Sequence, residues 1–154
     1  MPMHRIYTPA GLYSSEEKQA LAKAITSAYT SNSTGGPGLP PFYVGVFFID
    51  LPEDSFYVGG EKHNHFVRFN VQHLARHFEI KEEKLKFMQL YEEKIEPFTA
   101  EKGLDWEVNI DEADPLMWHE NGISPPAPNS EAELLWFYQN KATKFEGPSF
   151  KDLN

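Results

Sequence analysis

Cysteine is absent from this chain, which excludes disulfides, thiolate metal sites and thiol nucleophiles. Long hydrophobic runs are absent too. A membrane helix needs roughly 18 apolar residues, and the longest apolar run here, Phe42 to Ile49, is strand-sized. The start, Met1-Pro2-Met3-His4-Arg5, has no hydrophobic stretch of the kind a secretory signal carries. Basic charge is scarce: 14 Lys and Arg stand against 23 Asp and Glu, a formal net charge of −9. That balance argues against nucleic-acid binding, which needs a basic face. No Gly-x-Gly-x-x-Gly or Walker loop supports nucleotide binding, and no H-E-x-x-H pattern supports a metal site. The expectation is a soluble, cytoplasmic domain with no membrane and no nucleic-acid partner.

What is present fits one packed domain. At 154 residues the folded chain should bury roughly two-thirds of the surface its unfolded form exposes. Aromatic residues make up 14% of it, too many for a disordered tail. Residues 3–8 alternate as a short strand ending at Pro9. Ser14 or Ser15 followed by Glu16-Glu17 is a helix start, and Leu21, Ala22, Ile25, Ala28 and Tyr29 recur at helical spacing over 15–31. Residues 31–41 form a loop rich in Gly and Pro, with Gly35-Gly36-Pro37-Gly38 read as flexible. Phe42 to Asp50 is a buried strand, 56–58 a short extended piece, and 65–71 a third strand. A second helix runs from Lys81 to about Pro97, a fourth strand from Asp105 to Asp111, and a helical turn follows Asp114-Pro115. Beyond a Pro-rich link, a capped helix spans Ser130 to about Ala142, and the last ten residues read as a frayed tail.

This order is β-α-β twice, with a helix appended. Val46–Gly60 lies against Val108–Gly122 at a constant offset of 62 residues, and Glu16-Glu17-Lys18 matches Glu82-Glu83-Lys84. Duplication is therefore expected, with residues 1–122 as the doubled unit and 123–154 packed on the same domain. Right-handed crossovers place both helices on one face of a four-stranded sheet. The other face is expected to be apolar and covered by further copies of the chain.

The chemistry points first to Pro2. Methionine is removed before a small second residue, and the chain would then open on a secondary amine. Buried near cations, such an amine loses affinity for its proton and can act as base or acid near neutral pH. Other candidates have two readings each. Tyr29 closes the apolar helix face and fits core or pocket alike. Arg76 suits an anion, an ion pair with Glu79, or a helix cap. Arg68 on its strand could also face a pocket. His63 and His65 are expected on one strand face, and His73 and His77 have i, i+4 spacing.

Two segments carry a family resemblance. Leu21-Ala22-Lys23-Ala24-Ile25-Thr26-Ser27-Ala28-Tyr29 resembles the first helix of the cis-3-chloroacrylic acid dehalogenase group of the tautomerase superfamily. Pro115-Leu116-Met117-Trp118-His119-Glu120-Asn121-Gly122 resembles the segment holding that group's catalytic glutamate. The resemblance spans residues 2–122 and implies an α+β tautomerase fold, a homotrimer, no cofactor, and a small carboxylate substrate. It implies Pro2 and Glu120 as catalytic residues, the second activating water. Tyr29 stands where the group has a substrate-binding histidine, and Asn109 where it has a tyrosine. The arginine pair falls near Gln72 and Ala75, so Arg76 fills that role after a shift of one residue, with His73 beside it. The function implied is a tautomerase acting on a 2-oxo acid, an enol or an unsaturated carboxylate. The alternatives are a hydratase, dehalogenase or decarboxylase using the same residues, or a non-catalytic ligand-binding or protein-interaction module.

Overall fold

The computed structural model describes residues 2–31 and 36–153. Strand β1 (Met3–Pro9) leads into α1 (Ser15–Thr30) and β2 (Gly45–Leu51), and a hairpin of β3 (Tyr57–Val58) and β4 (Glu61–Lys62) follows. Then come β5 (Phe66–His73), α2 (Lys81–Ile95), β6 (Asp105–Glu112) and α3 (Glu131–Gln139). The main sheet has the order β2-β1-β5-β6. β1 is parallel to β2, β5 is parallel to β6, and the two pairs meet antiparallel along β1 and β5. Both long helices cover one face, as the crossover rule requires.

Alternation assigns the faces. His4, Ile6 and Thr8 on β1, and Val67, Phe69, Val71 and His73 on β5, are buried under the helices. Leu21, Ile25, Ala28 and Tyr29 of α1 and Tyr91 and Ile95 of α2 close that core. The start of α1 is fixed by a reciprocal cap. The Glu17 amide donates to Ser14 Oγ at 3.2 Å, and the Ser14 amide donates to Glu17 Oε2 at 2.8 Å.

The duplication is visible in three dimensions. Val58 pairs with Glu61 across Gly59-Gly60, and Glu120 pairs with Ile123 across Asn121-Gly122 at the same offset of 62. Asn121 and Gly122 have φ of 51° and 77°, the left-handed pair a two-residue hairpin requires. The 3-10 turns Glu53–Ser55 and Pro115–Met117 correspond likewise, as do buried Phe56 and Trp118.

Four expectations need correction. The open sheet face is apolar only along β1 and β2, where Met3, Tyr7, Phe47 and Ile49 lie; its other half is polar, with Arg5, Asn70 and Asn109 in a hydrogen-bonded row and Arg68 paired with Glu107 at 2.6 Å. The strand expected from Phe42 to Asp50 begins only at Gly45, because Pro41–Tyr43 is a 3-10 turn that sends Tyr43 into the core. His63 and His65 precede β5 rather than share a strand face, and His63 Nε2 lies 3.1 Å from Asp105. The C-terminal stretch docks instead of fraying. Phe150 is buried against Trp118, and its amide donates to the Pro125 carbonyl at 3.0 Å. Asn154 lies outside the described residues. Between these segments, fully buried Trp136 of α3 packs on Phe42 and Tyr43. Among the described residues no helix is long and apolar enough to cross a membrane.

Candidate active site

A cavity of about 210 Å³ lies where the start of β1, the last turn of α1 and the end of β5 converge. Pro2, Tyr29, Gly38, His73, Arg76 and Asn129 are in its wall. Pro2 is buried, and its carbonyl accepts the Gly45 amide at 3.0 Å, which anchors the residue beside β2. A proline has no N–H to contribute to a strand ladder, so the sheet loses nothing by having it there.

Tyr29 belongs to both core and pocket. Its ring packs against His4, His73 and Phe87, and its hydroxyl lies 2.8 Å from His73 Nε2. Burial holds that hydroxyl well above the ordinary tyrosine range. Burial also lowers His73 to about 4, with Glu112 partly opposing. The pair is therefore uncharged at neutral pH. Beneath it, His4 Nδ1 lies 3.0 Å from the Tyr91 hydroxyl, and burial lowers His4 to about 3.

The loop 31–41 contributes more than slack. A Cβ on Gly38 would sit 2.2 Å from the Tyr29 carbonyl oxygen, so only glycine can approach the end of α1 there. Its amide donates to the Thr30 carbonyl at 3.0 Å, and the Leu39 amide to the Tyr29 carbonyl at 2.8 Å. The reading of this segment as flexible is corrected at Gly38; Gly35 lies outside the described residues.

Arg76, in the β5–α2 connection, is the one Lys or Arg among the described residues in the cavity wall. It pairs with neither Glu79 nor a helix end. Its Nη2 donates to both carboxylate oxygens of Glu133, at 3.0 and 2.8 Å, and its Nη1 to the Ala75 carbonyl at 2.8 Å. Glu133 is the residue sequence reasoning missed. Ser130 three residues earlier signals a cap, and the Glu133 amide does donate to Ser130 Oγ, but a cap motif names no distant partner.

Two expected residues lie elsewhere in the chain. Glu120 is not in the cavity wall; its carboxylate accepts the Trp118 indole N–H at 3.0 Å. Asn109 is on the open face of the sheet, accepting from Asn70 at 3.0 Å. So the chain brings together Pro2, Tyr29, His73 and Arg76, and leaves Glu120 and Asn109 apart. Among the described residues no group of three or more His, Asp or Glu is placed to hold a metal ion.

A doubled β-α-β sheet with both long helices on one face is the arrangement of the α+β tautomerase fold. Residues 1–141 match the family described as "Putative oxalocrotonate tautomerase enzyme", and the chain belongs to that family, within the tautomerase superfamily. Native RhCC from Rhodococcus jostii RHA1 is 39% identical, with 93% of this chain and 99% of that one covered and a TM-score of 0.87. AU4130/APC7354, a probable enzyme from the thermophilic fungus Aspergillus fumigatus, is 37% identical over 94% and 98%, with a TM-score of 0.85. N1, a member of the cis-3-chloroacrylic acid dehalogenase family, shares the fold at 18% identity, with 90% and 97% covered and a TM-score of 0.70. No curated protein matches the chain.

Proposed function

We propose that the chain is a cofactor-independent tautomerase that uses the N-terminal amine of Pro2, freed by removal of Met1, on a small 2-oxo acid, its enol, or an unsaturated carboxylate. The observation that carries this reading is buried Pro2 in the wall of a cavity whose one guanidinium is Arg76. The Pro2 nitrogen accepts the enol O–H proton, and a proton returns from it to the neighbouring carbon as the C=O bond forms. Protons and electrons balance within the substrate, so no cofactor is called for. Arg76 holds the carboxylate by charge-assisted hydrogen bonds. The neutral Tyr29–His73 pair shapes the wall without competing for the substrate's charge.

Membership of this family supports enzyme activity of this kind. Hydration, hydrolytic dehalogenation and decarboxylation remain rivals for the same residues. The first two need an activated water, and Glu120 of the same chain is held by Trp118 outside the wall. Ketonisation is the better-supported reaction for that reason. We further propose a cytoplasmic homotrimer joined through the open sheet faces. Asn109, on that face, would line a Pro2 cavity only from a neighbouring copy.

The test is ketonisation of a series of enols by protein shown by intact mass to lack Met1. Pro2→Ala should slow the reaction about a hundredfold or more, the scale of a lost general base. An unchanged rate would move the base elsewhere, and no turnover of any member by the unaltered protein would favour a binding module.

A further inference from the structure

Among the described residues Glu133 is the one Asp or Glu that is buried, at 4% exposure. Three hydrogen bonds converge on its carboxylate: two from Arg76 Nη2, and one from the Asn129 amide at 2.7 Å. Its own amide is held by Ser130 Oγ at 3.2 Å. Such a group cannot swing aside for a ligand, and it stands directly behind the one guanidinium of the cavity. The appended helix α3 thereby completes the site: Asn129 is in the wall, and Glu133 is the fourth residue after it.

We infer that Glu133 is the positioning residue that holds Arg76 in the wall of the Pro2 cavity and limits the cavity to substrates carrying one carboxylate. This rests on the reading of that cavity as a carboxylate site. Arg76 and Glu133 cancel, and His73 and Tyr29 are neutral. The empty cavity therefore carries one positive charge when the Pro2 amine is protonated and none when it is free. A monoanion balances the first state. A dianion leaves an uncompensated negative charge in a half-enclosed space next to a fixed carboxylate, where like charges repel more strongly than in water. The guanidinium orientation has the same origin. With Nη2 committed to Glu133 and Nη1 partly to Ala75, the remaining N–H groups of Arg76 face other directions in a fixed fork.

The experiment compares two ligands of like shape, crotonate with one carboxylate and fumarate with two, by calorimetry on Met-free protein. The unaltered protein should bind crotonate more tightly. Glu133→Gln keeps the acceptor for the Asn129 amide but removes the charge, and should shift the preference about tenfold towards fumarate. Glu133→Asp keeps the charge but draws it back by one methylene, so both ligands should weaken while the preference stays. Tighter binding of fumarate by the unaltered protein overturns the inference. So does Glu133→Gln weakening both ligands equally, the signature of a merely structural glutamate. If circular dichroism shows that Glu133→Gln does not fold, the unaltered protein and Glu133→Asp decide alone. If neither acid binds the unaltered protein, the carboxylate reading of the cavity has failed and the inference falls with it. Binding without the expected preference sinks the inference only.

Discussion

The two β-α-β units share one architecture and differ in what fills their equivalent ends. Register defines the equivalence. Gly45 pairs with Met3, and its counterpart Glu107 pairs with Arg68, so Pro2 corresponds to Val67. The helices begin at Ser15 and Lys81, so Tyr29 corresponds to Ile95. In the first unit this end is Pro2 and Tyr29 around a cavity. In the second it is Val67 and Ile95, both fully buried. His4 likewise corresponds to Phe69, and His73 to Thr8. The comparison teaches that the fold needs these positions only to be filled. Where Val67, Phe69, Ile95 and the buried Thr8 fill them these positions are core, and where Pro2, His4, Tyr29 and His73 replace them Pro2, Tyr29 and His73 line a cavity.

That contrast can be broken from either side. Ile95→Ala should produce the largest effect on stability, about 2–5 kcal/mol for truncating a buried isoleucine. Turnover per folded molecule should not change, because the solid end carries no chemistry. Denaturant midpoints and active-site-normalised rates check the two halves of that statement.

Acid should act through the first unit's end. His4 and His73 are lowered to about 3 and about 4 by burial, whereas an unfolded histidine titrates near 6.5. Between those values the unfolded chain binds more protons. Stability is therefore full above about pH 6.5 and falls as pH drops through 6.5 towards 4, by on the order of 2 kcal/mol per imidazole at pH 5. Substituting each histidine by its counterpart, His4→Phe or His73→Thr, should flatten the slope measured by denaturant titration across that range. A slope that survives both changes would place the acid sensitivity elsewhere.

The smallest effect on ketonisation is expected at Glu120, whose counterpart is exposed Val58 in the β3–β4 hairpin. Glu120→Gln keeps an acceptor for the Trp118 indole, and should leave enol ketonisation within about tenfold, while hydration of an acetylenic acid would lose a hundredfold or more if Glu120 activates water. Equal damage to both reactions would mean that Glu120 shapes the site rather than activating water.

How far the sequence could be read follows the range of the interactions. Helices, strands and the duplication were legible because apolar periodicity and caps such as Ser14–Glu17 are local. Pro2, which does lie in the cavity wall, was legible as a candidate because removal of Met1 would leave a secondary amine and the surrounding element order matches an N-terminal-proline family. Glu133 was not, since it meets Arg76 across 57 residues of sequence and a cap motif explains its presence equally well. The docking of Phe150 was hidden too, because two phenylalanines five residues apart, Phe145 and Phe150, set up neither a helical nor a strand period. The open face was half legible: the apolar run does supply Phe47 and Ile49 to it, but the polar residues of β5 and β6 on the same face gave no sign of their direction in an alternating strand.

Every proton moved in the proposed reaction passes through the Pro2 nitrogen. The most direct measurement is the ketonisation rate of one preparation with Met1 removed against one in which Met1 is retained, each verified by intact mass. Retained Met1 makes the Pro2 nitrogen an amide, which cannot take a proton near neutral pH, while the cavity walls, Arg76 and Glu133 stay the same. The account predicts turnover by the Met-free form and a loss of about a hundredfold or more in the other. Equal rates in the two preparations would contradict it.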